Sequence, residues 1–189
     1  NEFYTGVYRS KSGKFIIIWS SSTLVSDYQI LEANNPNGDF LSFTPRGEEH
    51  EYDIAHYANK FYIMTNYKAK NNRLMETPDN ATNISNWSEV IPHDESIHLL
   101  DMEIFDNHLV LNHRKNGLRG MRVINQTSKK DNILDFGENT YATFFSTNKE
   151  FNTSILRYSY SSLVTPWSTF DYDMNTGELT LLKQDKVLG

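Results

Sequence analysis

Short runs of alternating apolar and polar residues, separated by clusters of turn-forming residues, recur along the whole chain. Tyr52-Asp53-Ile54-Ala55-His56-Tyr57 places every second side chain on one face, the period of a strand with one buried side. Phe15-Ile16-Ile17-Ile18-Trp19 is apolar throughout and reads as a strand covered on both faces. Such segments group in fours. The first group is Phe3–Tyr8, Phe15–Trp19, Tyr28–Glu32 and Phe40–Phe43; the second is Tyr52–Tyr57, Phe61–Thr65, Arg73–Glu76 and Trp87–Ile91. The third is Leu99–Phe105, Leu109–His113, Met121–Ile124 and Ile133–Phe136; the fourth is Thr140–Phe145, Ile155–Ser161, Thr169–Tyr172 and Leu179–Leu182. Between adjacent runs lie Lys11-Ser12-Gly13-Lys14, Tyr57-Ala58-Asn59-Lys60, Phe105-Asp106-Asn107-His108 and Asn116-Gly117, all with turn chemistry.

This grammar predicts an all-β chain of up-and-down antiparallel sheets. Its period of about 45 residues falls in the range of four-stranded propeller blades. The expected architecture is a partial β-propeller of about four blades, over residues 1–45, 46–93, 94–137 and 138–189. A β-sandwich of evenly spaced short strands is the competing architecture.

Composition narrows the classes. Thirteen per cent aromatic residues, with eleven Phe and eleven Tyr, suits sheet packing and argues against disorder. No apolar run approaches the roughly eighteen residues that a membrane-spanning helix requires, so no membrane partner is expected. A net charge of −6 disfavours nucleic acid as a partner and favours basic ligands. The absence of cysteine excludes disulfides, thiol catalysis and cysteine-based zinc sites. It is expected of a cytoplasmic protein, and many periplasmic proteins share it.

Catalytic constellations are not evident in the pattern. No G-x-S-x-G elbow can be built from the nine glycines. Ser12, Ser20 to Ser22 and Ser159 to Ser162 fall in strands or polar turns, with no base signalled nearby. His93 and His98 flank Asp94 and Glu95, but a spacing of five is not a metal-ligand pattern. His108 and His113 on one strand point to opposite faces, and His56 reads as an inter-strand hydrogen-bonding residue. The chain is expected to bind no metal and no cofactor, and to catalyse nothing by itself. An independent glycosidase or lactonase would need convergent carboxylates or metal ligands at one rim.

The order of motifs resembles the oligopeptidase B (protease II) branch of the prolyl oligopeptidase family. Val7-Tyr8-Arg9-Ser10-Lys11-Ser12-Gly13-Lys14 with Trp19-Ser20-Ser21-Ser22-Thr23-Leu24 is similar to that family's T-K-S-G-K-Y and S-S-S-T-L segments. Glu51-Tyr52-Asp53-Ile54-Ala55-His56-Tyr57 followed by Lys60-Phe61-Tyr62-Ile63-Met64-Thr65-Asn66 resembles Y-x-V-D-H-x-x-D-x-F-Y-I-x-T-N. Ala69-Lys70-Asn71-Asn72-Arg73-Leu74-Met75 is similar to A-K-N-F-R-L-M, and Arg114-Lys115-Asn116-Gly117-Leu118 to R-x-N-G-L. Leu156-Arg157-Tyr158-Ser159-Tyr160-Ser161-Ser162-Leu163-Val164-Thr165-Pro166 resembles the final blade. Ala55, Asn59 and Trp167 depart from the pattern.

The resemblance implies a seven-bladed propeller lidding an α/β-hydrolase domain that cleaves short peptides after Arg or Lys. This chain would supply about the last four blades, with no catalytic residue of its own and the triad downstream of Gly189. Its partners would be that hydrolase domain, the remaining blades, and short basic peptides. If the four blades exist alone, their end faces are expected to drive self-association. A stand-alone interaction scaffold without peptidase activity is the alternative.

One feature of the first strands carries a functional expectation. In a propeller these strands line the central tunnel, and here they hold acids: Glu2, Glu49, Glu51, Asp53, Asp101, Glu103 and Glu138. Glu49, Glu51 and Asp53 share one strand face, as do Asp101 and Glu103. Facing a tunnel, they would steer basic peptides inward.

Overall fold

Sixteen strands form four separate four-stranded antiparallel sheets in a computed structural model that describes residues 3–45 and 50–187. Glu2 and Glu49 lie outside the described residues. The first sheet runs β1 (Tyr4–Arg9), β2 (Phe15–Ser21), β3 (Ser26–Glu32) and β4 (Leu41–Ser42); the second runs β5 (Tyr52–Tyr57), β6 (Lys60–Thr65), β7 (Arg73–Pro78) and β8 (Ser88–Ile91). The third comprises β9 (Ile97–Ile104), β10 (His108–Lys115), β11 (Leu118–Asn125) and β12 (Asp131–Ile133). The fourth comprises β13 (Tyr141–Phe145), β14 (Ile155–Ser162), β15 (Ser168–Asp173) and β16 (Leu179–Gln184). Within each sheet consecutive strands are neighbours, as up-and-down hairpins demand. The chain divides into two compact units, residues 1–95 and 96–189, each holding two sheets.

In the first unit the period-2 pattern becomes a single apolar layer. Phe15 and Ile17 of β2, Tyr28 and Ile30 of β3, Tyr52 and Ile54 of β5, and Phe61 and Ile63 of β6 pack into one buried cluster with Phe43 and Met75. The register places these residues opposite one another, Ile17 against Ile30 and Ile54 against Ile63. Phe43 meets Phe61 edge-on at 5.0 Å between ring centroids, a favoured aromatic geometry. The turn at Ala58 holds a non-glycine residue at φ 54°, a left-handed conformation that strains an L side chain. Trp87, expected to open a strand, instead follows a 3-10 turn (Ile84–Asn86) and packs against the cluster, its indole N–H bonded to the Thr82 carbonyl at 2.8 Å.

In the second unit Phe105, Val110, Met121, Val123, Leu156, Tyr158, Tyr160 and Met174 form the corresponding cluster. Leu99 and Ile104 are both buried, and a regular strand would turn them, five residues apart, to opposite faces. A bulge resolves it: Asn112 pairs with Asp101 and His113 with Leu99, leaving Leu100 as the extra residue. The last strand of this sheet ends at Ile133, three residues before the expected Phe136. Phe136 leaves the ladder to stack on Tyr160 at 5.5 Å and Tyr141 at 4.9 Å. Aromatic burial there outweighs further strand pairing. The Asn116-Gly117 hairpin turn takes positive φ at both residues, 52° and 82°, as a type I′ connection requires.

Candidate functional site

Among the described residues, four of the expected steering acids, Glu51, Asp53, Asp101 and Glu103, lie on or beside the first strand of a sheet. Glu51 immediately precedes β5 and is exposed, and its backbone and carboxylate are tied to Asn66: Glu51 N–H donates to Asn66 Oδ1 at 2.8 Å, and Asn66 Nδ2 donates to Glu51 Oε2 at 3.2 Å. Two residues on, Asp53 is exposed on β5 and accepts the Tyr28 hydroxyl at 2.7 Å. Burial first, then the Asp53 charge, pushes the Tyr28 hydroxyl well above its ordinary range, so it stays a donor. In the second unit Asp101 is exposed on β9, and its carboxylate accepts the Met102 N–H at 2.8 Å. Glu103 is half-buried and lies on the same strand beyond the bulge, so the two acids share a face.

Glu138 behaves differently from the expectation that grouped it with these acids. It precedes β13 rather than lying in it, and its carboxylate accepts the Tyr160 hydroxyl at 2.9 Å and the Thr165 hydroxyl at 3.0 Å. Hydrogen bonding, from the Ser162 hydroxyl first, holds its carboxyl below the usual range. Ser162 also caps its own loop, accepting N–H groups from Val164 at 3.1 Å and Thr165 at 2.9 Å. The result is a fixed corner at Ser161 to Pro166 that holds Leu163 90% and Val164 80% exposed. Glu138 is a clamp for this corner.

A second correction concerns Ser12, which does have a base beside it. The Ser12 hydroxyl lies 2.7 Å from His56 Nδ1, and His56 Nε2 lies 3.3 Å from Asp79 Oδ2. This serine–histidine–aspartate series has the composition of a hydrolytic triad but not its freedom. His56 is 2% exposed and its ring is wedged between Phe15 at 4.9 Å and Phe61 at 5.0 Å. Asp79 is already paired with Lys14 at 2.5 Å, and Ser12 Oγ is 3.0 Å from Ser10 Oγ. The imidazole is shut away between the two phenylalanines, where it ties these polar groups together. Ser12, His56, Asp79 and Lys14 form a structural bridge between the first and second sheets.

In the second unit an open cleft of about 240 Å³ is lined by Phe105, Asn148, Lys149, Ile155, Arg157 and Asp171 among others. Arg157 and Asp171 form a bidentate pair across it at 2.7 and 2.8 Å, and Asn148 bonds the Arg157 backbone through both its amide atoms. Arg157, Asp171 and Asn148 are thus engaged with one another. Among the described residues no three His, Asp or Glu side chains gather closely enough to hold a metal ion.

Four-stranded antiparallel sheets in sequential order, joined by short turns, define a β-propeller array. Residues 1–185 match the model of the prolyl oligopeptidase N-terminal beta-propeller domain, and the chain belongs to that family as a partial β-propeller. It is 34% identical over 190 residues to dipeptidyl aminopeptidase BI of Pseudoxanthomonas mexicana and 28% identical over 183 residues to protease 2 of Moraxella lacunata. Those alignments cover 100% and 97% of this chain but 26% of each relative, so the chain spans about a quarter of their length. Among solved structures, oligopeptidase B from Trypanosoma brucei with covalently bound antipain, in its closed form, superposes with a TM-score of 0.88 at 28% identity. That match covers 97% of this chain and 28% of the trypanosomal one.

Proposed function

We propose that this chain is the non-catalytic, access-controlling portion of a serine oligopeptidase that hydrolyses short peptides after Arg or Lys. The observation that carries the reading is the end-to-end match to the propeller domain of the prolyl oligopeptidase family. Likeness to protease 2 and to an oligopeptidase B that holds antipain supports the oligopeptidase B branch within it. The peptide bond would be cut on a hydrolase domain outside this chain. A propeller set over that domain would exclude folded proteins by size and admit short, extended peptides.

Electrostatics supports the choice of basic peptides. Asp101 and Glu103 present two carboxylates from one face of β9, and Asp53 on β5 has Glu51 two residues before it, at the strand's entry. With a net charge of −6, such faces raise the local concentration of cationic peptides and speed their capture. The test is charge reversal, E51K and D101K, in the whole protein, with hydrolysis of an Arg-Arg amide measured at low and high salt. The expected result is a drop in kcat/KM of several-fold at low salt that narrows as salt screens the field. Unchanged kcat/KM and salt dependence would remove the steering role. The relative named as a dipeptidyl aminopeptidase requires that free and N-blocked substrates both be assayed. Cleavage of the blocked Arg-Arg amide is the expected outcome.

A further inference from the structure

The bridge around His56 has a direction built into it. Asp79 only accepts hydrogen bonds, so His56 Nε2 must carry the proton that bridges the 3.3 Å to Asp79 Oδ2. Nδ1 of the neutral ring is then an acceptor, and the Ser12 hydroxyl donates to it over 2.7 Å. Ser12 Oγ in turn accepts from Ser10 Oγ at 3.0 Å, and Ser10 Oγ accepts the Phe15 N–H at 3.0 Å. Lys14 closes the far end on Asp79. Every donor in this series points one way, from β2 through the β1–β2 turn to β5 and on to the segment after β7.

We propose that this series is an acid-sensitive latch holding the first sheet to the second. A proton added to His56 Nδ1 turns that atom from acceptor to donor. The Ser12 hydroxyl must then rotate its proton away. Ser12 Oγ can accept from Ser10 and from the new imidazolium N–H at once, so it is the Ser12 proton that is left without an acceptor in the series. One added proton therefore takes the acceptor from the Ser12 hydroxyl and charges a ring that is 2% exposed between two phenylalanines, where an unmatched polar group and a cation are both costly.

The charged groups around the ring pull in opposite directions. Asp79 faces it from the segment after β7 and stabilises the cation; Lys14 faces it from the β1–β2 turn and opposes it. β2 and β6 present the rings of Phe15 and Phe61. Burial is the largest influence, and with Lys14 it holds the His56 pKa below its ordinary 6.5 despite Asp79. The sign follows: a group whose folded pKa is depressed binds its proton more readily in the opened state, so opening is promoted as pH falls through 6.5. If the closed latch stays neutral at pH 5.0, opening grows by up to about thirtyfold relative to pH 7.5.

Hydrogen exchange on the whole protein reads this locally. After correction for intrinsic exchange, amides of the β1–β2 turn and β5 should lose protection between pH 7.5 and 5.0 by several-fold, up to that limit. The H56Q variant, which keeps a donor and an acceptor but cannot titrate, should show less than a twofold change. S12A, which removes the hydroxyl that protonation displaces while leaving the core packing in place, should show a smaller pH effect than the native protein. An equal pH effect in native, H56Q and S12A proteins overturns the latch, as does a native protein whose β1–β2 turn and β5 protection is independent of pH.

Discussion

Gly120 on β11 sits directly opposite His113 on β10, and the imidazole lies over the glycine. A Cβ built on Gly120 would come within 2.8 Å of His113 Cε1 and Nε2. That is about 0.7 Å inside the distance at which carbon atoms attract. The glycine has no left-handed backbone, so alanine brings no conformational strain and G120A reports the ring contact alone. His113 is 8% exposed, enclosed in its sheet, and cannot swing freely into solvent. Overpacking of this kind costs about 1–3 kcal/mol, offset by several tenths from the reduced freedom of the unfolded chain. G120A should therefore destabilise the second unit by about 1–2 kcal/mol in urea unfolding at constant m-value. H113A removes the obstructing ring and carries its own packing loss. The double variant should recover at least about 1 kcal/mol relative to the sum of the single ones. A cost below about 0.5 kcal/mol for G120A, or additivity within that margin, would show that the ring yields and the reasoning is wrong.

Two further outcomes follow from other contacts. Y28F deletes the hydroxyl that Asp53 accepts at 2.7 Å and should destabilise the first unit by about 1–2 kcal/mol, since hydrogen bonds to charged groups exceed neutral ones; thermal unfolding at unchanged midpoint would contradict it. E138Q replaces the carboxylate that Tyr160 and Thr165 share, so the corner at Leu163 and Val164 should be cut faster by thermolysin under native conditions. An unchanged cleavage rate would show that Ser162 alone fixes that corner.

Alternation and turn chemistry determined the existence and order of the strands, because side-chain period and the φ demands of Asn116-Gly117 are local properties. The family assignment was equally legible, since the motif series runs along the chain in order. The pairs Glu51 with Asp53 and Asp101 with Glu103 could be placed on common faces for the same reason: two-residue spacing is geometry the sequence carries.

Tertiary structure decided what depends on distant residues. Leu99 and Ile104 share one strand face only because a bulge at Leu100 flips the strand, a choice made in the pairing with β10. Phe136 left its expected strand because Tyr141 and Tyr160 offered a better aromatic surface. Glu138 became a clamp because the corner at Ser162 folds back onto it. Most of all, Ser12, His56 and Asp79 stand 44 and 23 residues apart along the chain. No spacing rule links a turn of one sheet to a strand and a loop of the next. Packing the two sheets face to face brings those polar groups together, and burying the histidine between phenylalanines turns three ordinary residues into a directed series of hydrogen bonds.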